Sequence, residues 1–61
     1  SAEFCEKSIK PLSDSGSEIS SDIDKLNSTL TAEANIPQSI TNSVAMLADK
    51  IDALNDLMRA A

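Results

Sequence analysis

A chain of 61 residues with a net charge of −5 and one aromatic side chain, Phe4, holds at most one small domain with a thin core. The charge sets the chain against nucleic-acid phosphates and anionic membrane surfaces as main partners and leaves room for a basic one. The single Cys5 cannot form an internal disulfide, the absence of histidine removes the usual zinc set, and no run of about 18 apolar residues is present to span a bilayer.

Residues 1–14 read as a flexible or short-helical lead. Phe4, Cys5 and Ile9 offer a short apolar face, but Pro11 and the run Ser13-Asp14-Ser15-Gly16-Ser17 carry breaker and linker residues. Lys7 and Lys10 lie near Cys5 and are offset by Glu3 and Glu6, so nothing local activates the thiol. Ser15-Gly16-Ser17-Glu18 has the spacing of a capping box directly before Ile19, which predicts a helix start near residue 16. Ser15 and Ser21 each have an acidic residue three positions on, a pattern that acid-directed kinases accept. Asn27-Ser28-Thr29 has the form of an N-glycosylation sequon. Asp22-Ile23-Asp24 lacks the mid-loop glycine and the closing glutamate of a calcium loop.

From Ile19 onward the apolar residues recur in steps of four and three: Ile19, Ile23, Leu26 and Leu30, then Ile40, Val44, Leu47, Ile51, Leu54 and Met58. That is a heptad seam, and these ten residues are the expected interface. With Ile23 and Ile51 at position a, Leu26, Leu47 and Leu54 take d, while Asp24, Asp49, Asp52, Asp56 and Arg59 fall at b and f on the solvent side. The flanking e and g positions are mostly small or uncharged: Ser20, Asn27, Thr29, Thr41, Ser43, Ala48 and Asn55, with Leu57 apolar. Small flanks permit close antiparallel approach.

Between the two halves stands Asn35-Ile36-Pro37-Gln38. Proline is tolerated in a first helical turn and costs about 3 kcal/mol inside a helix, and the residue before it resists the helical region. A break near 34–36 follows. The heptad phase nevertheless runs through it, with Glu33 and Pro37 as poor occupants of seam positions. Ile23, Asp24, Leu26 and Asn27 also reappear 28 positions later as Ile51, Asp52, Leu54 and Asn55. A long kinked coiled-coil rod is therefore the alternative to a hairpin.

The phrases "DIDKLNSTL" and "KIDALNDLM" resemble the Ile-Asp-x-Leu repeats of bacterial murein lipoproteins. The resemblance implies a trimeric helical rod whose chain begins near a lipidated cysteine, with Cys5 standing roughly there. Phe4 departs from the small residue that family places before its cysteine, Arg59-Ala60-Ala61 lacks the terminal lysine, and Pro37 interrupts the rod.

These readings converge on an all-α fold: a helical hairpin of two amphipathic helices, about 16–34 and 36–60, packed as an antiparallel coiled coil or four-helix bundle. Residues 15–61 form a helix–loop–helix oligomerisation module, and no catalytic, cofactor or metal site is expected. The expected function is a non-enzymatic protein–protein interaction module or scaffold, as a homo-oligomer with a dimer favoured, or docked on a helical partner. A small helical carrier of an apolar ligand is the rival, together with the structural rod.

Overall fold

A computed structural model describes residues 1–61 and is all-helical. Three stretches run on without a break to make one N-terminal arm: α1 (Ala2–Phe4), a π-helical segment (Cys5–Ile9) and α2 (Lys10–Thr31). A loop over residues 32–37 leads into α3 (Gln38–Ala60), which packs back along α2. The molecule is a helical hairpin measuring 49 × 14 × 10 Å. The rod alternative is thereby excluded, since residues 16–60 alone would draw out to about 68 Å as one helix.

Of the two forms expected for the lead over residues 1–14, flexible or short-helical, the structure has the helical one, continuous with α2, so that no helix begins near residue 16. Ser1 caps the first turn, its Oγ accepting the Phe4 backbone N–H at 3.2 Å. Glu3 sits in this first turn, where the helix dipole favours it, and pairs with Lys7 one turn on at 2.9 Å. The capping-box residues 15–18 lie inside α2, where a start signal has no orphan backbone N–H to serve.

Pro11 falls in the first turn of α2, immediately after the π-helical segment. In a regular α-helix its ring would meet the carbonyl of Lys7 four residues back. Here the Lys10 N–H reaches back five residues to the Cys5 carbonyl, so the helix widens just ahead of the ring and continues past it.

The break is longer than expected. α2 ends at Thr31 rather than near 34, and α3 begins at Gln38 rather than 36. Pro37 is its N-cap, extended at φ −56° and ψ 139°, with the Ile40 N–H donating to its carbonyl at 2.9 Å. Ile36, held out of the helical region by the following proline, is half-buried in the loop. At the far end Arg59 sits in the last turn of α3, where a cation meets the negative pole of the helix, and it pairs with Asp56.

The interior is thin. Ile23, 8% exposed, is the only apolar side chain the fold buries, with Leu30, Val44, Ile51 and Met58 half-buried along the same seam. Ile23→Ala should therefore lower unfolding stability by about 2–4 kcal/mol, measured by urea melts at matched protein concentration. An unchanged midpoint would show that the hairpin is held elsewhere.

Candidate functional site

The ten positions expected to form one seam divide into two sets. Those at heptad position a (Ile23, Leu30, Val44, Ile51 and Met58) face the opposite helix and are buried or half-buried. Those at d (Ile19, Leu26, Ile40, Leu47 and Leu54) are 46–55% exposed, and so is Leu12, which continues the d column toward the N-terminus. In the places the d side chains would fill, the helices bury their e column: Ser13, Ser20, Asn27, Thr41 and Ala48 are half-buried and Asn55 is buried. The hairpin closes on an a/e seam.

Two side-chain contacts across the helices set this phase and register. Asn55 Nδ2 donates to the Gly16 carbonyl at 3.0 Å, and Ser20 Oγ donates to Asp52 Oδ1 at 2.9 Å. Gly16 is buried inside α2 with Asn55, only 5% exposed, lying over it. A Cβ on residue 16 would overlap Asn55 Oδ1 and stand 3.0 Å from its Cγ. The glycine that reads as a linker residue is thus the floor on which α3 rests. In the sequence Asn55 reads as a small flank and as the repeat of Asn27, and no local signal joins it to a residue 39 positions away.

Successive residues turn by about 100° around a helix, so with a and e inward the d column points roughly sideways, some 80° from the seam. In an antiparallel pair the two helices are related by a two-fold axis normal to their length and to the line joining them. Such an axis carries the d column of one helix to the same side as the d column of the other. All six d residues of α2 and α3, Leu12, Ile19, Leu26, Ile40, Leu47 and Leu54, therefore share one face of the hairpin. The register places Leu26 near the height of Leu47, and Ile19 near that of Leu54, each within about one helical turn.

The opposite face is polar. Columns b and f bring Ser17, Ser21, Asp24 and Ser28 of α2 beside Asp49, Asp52 and Asp56 of α3, all exposed. The hollow on this side is a shallow groove along α2 lined by Ser17, Ser20, Ser21, Asp24, Lys25, Ser28 and Thr29, with no apolar wall. Cys5 is free and exposed on the N-terminal arm. Asn27 of the sequon is half-buried toward the seam, whereas Ser15 and Ser21 are exposed within α2 rather than at a helix start.

No protein-family model, curated protein or solved structure matches this chain significantly.

The Gly16–Asn55 contact makes a sign-reversing prediction. Gly16→Ala gains up to about 1 kcal/mol of helix propensity but displaces a buried, hydrogen-bonded amide worth about 1–3 kcal/mol, so it should destabilise the hairpin by roughly 1–2 kcal/mol. In an Asn55→Ala background the obstacle is gone, and the same change should stabilise by up to about 1 kcal/mol. Denaturant melts of the four proteins in this double-mutant cycle check both signs.

Proposed function

We propose that this chain is a non-enzymatic oligomerisation module that acts through its apolar d face. The observation that carries the reading is the row of six leucine and isoleucine side chains, each about half exposed, gathered on one side of the hairpin while acidic and hydroxyl side chains occupy the other.

Surface area supports it. The hairpin exposes 4587 Å², whereas a compact folded chain of 6.4 kDa exposes about 3,800 Å². The excess is roughly 800 Å², the area that one partner contributes to a standard protein–protein interface. Composition points the same way. Hydrophobic residues make up 41% of the chain, yet one apolar side chain is buried by the single hairpin. Oligomerisation is one of the ways in which small folded units make up for a thin core.

The two faces give the mechanism. Pairing d face to d face forms a four-helix bundle, in which each d side chain leaves water and the small e residues keep α2 and α3 close behind it. The acidic backs then face outward and keep the assembly dispersed.

Leu26→Glu combined with Leu47→Glu places a charge on both rows at mid-face. In sedimentation equilibrium the parent chain should be a dimer at micromolar concentration and the variant a monomer. Because neither residue is buried between α2 and α3, the variant should keep its helical circular dichroism in the cold. A parent that sediments as a monomer at about 100 μM would overturn the reading.

A further inference from the structure

We infer that the occupant of the d face is a second copy of this chain held in one arrangement, with the two-fold axis parallel to the helices, so that α2 lies on the partner's α3 and Asp22 pairs with the partner's Lys50. This rests on the oligomerisation reading above and adds the geometry of the contact.

The outer edge of the d face on each helix is the g column, occupied by Ser15, Asp22 and Thr29 on α2 and by Ser43, Lys50 and Leu57 on α3. Across the d and g columns of both helices, Asp22 and Lys50 are the only charged residues. Every other charge on α2 and α3 falls at b, c or f. Both are exposed, and neither takes part in an ion pair within the hairpin, where the pairs are Lys7–Glu3, Lys10–Asp14 and Arg59–Asp56. They also stand at one height. Ser20 bonds to Asp52, and in an antiparallel pair a step of two residues on from Ser20 matches a step of two back from Asp52. Asp22 and Lys50 are thus level with each other on opposite outer edges, too far apart to meet in one chain.

Two hairpins packed face to face with near-parallel helices can be related by a two-fold axis along the helices or by one across them. An axis along the helices leaves heights unchanged. It lays α2 over the partner's α3, so the register within each chain becomes the register between chains, and Asp22 meets the partner's Lys50 on both edges. All neighbouring helices then run antiparallel. Serine 15 falls opposite the partner's Leu57, and Thr29 opposite the partner's Ser43.

An axis across the helices instead lays α2 on α2 and reverses heights about the midpoint. The apolar rows, read from Leu12 at one end to Ile40 at the other, are centred near the height of Asp22. Covering them fully would therefore set Asp22 against Asp22 and Lys50 against Lys50 at mid-height, one pair on each outer edge. Like charges facing each other oppose that arrangement, and opposite charges favour the first.

The test reads the dimer dissociation constant by sedimentation equilibrium at low salt for the parent chain, Asp22→Lys, Lys50→Asp and the double swap. Each single change should weaken the dimer about tenfold, because two attractive rim pairs become repulsive, and the double swap should return it to within about threefold of the parent. The single-variant losses should shrink in high salt. Singles that bind as tightly as the parent would overturn the arrangement while leaving oligomerisation standing. A monomeric parent would overturn both.

A second measurement does not depend on those affinities. In a Cys5→Ser chain carrying Thr29→Cys and Ser43→Cys, mild oxidation should link position 29 of one copy to position 43 of the other, read by peptide mapping. Dimers that form without that cross-link, or that link 29 to 29, would overturn the arrangement.

Discussion

The close approach of α3 to the backbone of α2 at Gly16 is the constraint from which the rest of the hairpin follows. Asn55 lies where a Cβ would be, and its amide donates to the Gly16 carbonyl in a site closed to water. A buried polar group that loses its partner is costly, so sliding α3 by a turn would leave Asn55 without an acceptor against a filled helix surface. Single buried asparagines fix register in coiled coils for the same reason. In this chain the contact fixes rotation as well, because Gly16 at a and Asn55 at e can meet only if the a/e edges of the two helices face each other.

That rotation is what divides the apolar residues. A seam closing on a and d would have hidden all ten sequence-expected side chains inside one hairpin and left a polar exterior. Closing on a and e spends the inner surface on serine, threonine, alanine and asparagine. The small side chains allow the helices to approach, and the larger d side chains turn outward. The antiparallel connection through Pro37 then gathers both d columns on one side. One face of the module is consequently a stripe of leucine and isoleucine, and the other a field of aspartate and serine.

Much of this was legible in the sequence, and the parts that were not share a physical cause. Two amphipathic helices, the turn at Pro37 and the ten heptad residues follow from spacing of three and four and from the backbone limits of proline, all of which are local. The small e flanks correctly pointed to close antiparallel packing. That the helical lead joins α2 without a break, with no helix start near 16, is not legible locally because Pro11, Gly16 and the surrounding serines are breakers by local chemistry. A widened π turn accommodates the first, and a residue 39 positions away supports the second. Neither remedy leaves a trace in its own neighbourhood. The split of one seam into an inner and an outer row also lies beyond periodicity, since a heptad pattern identifies the a and d columns without saying whether one partner covers both.

The outer row itself supplies the last step. A hairpin held by Gly16–Asn55, Ser20–Asp52 and the a-column side chains does not need its d positions to be apolar, because those side chains are about half in water. Lysine or glutamate there would fit a helix equally well and would improve the solubility of an isolated hairpin. Yet all six d positions of α2 and α3 are leucine or isoleucine, while the b and f columns on the opposite face are almost wholly polar. The contrast between these two solvent-facing sides is not required by the fold of a single hairpin. In the proposed assembly the d face is covered from outside, and the stability of so thin a hairpin would then be linked to its assembly through protein concentration.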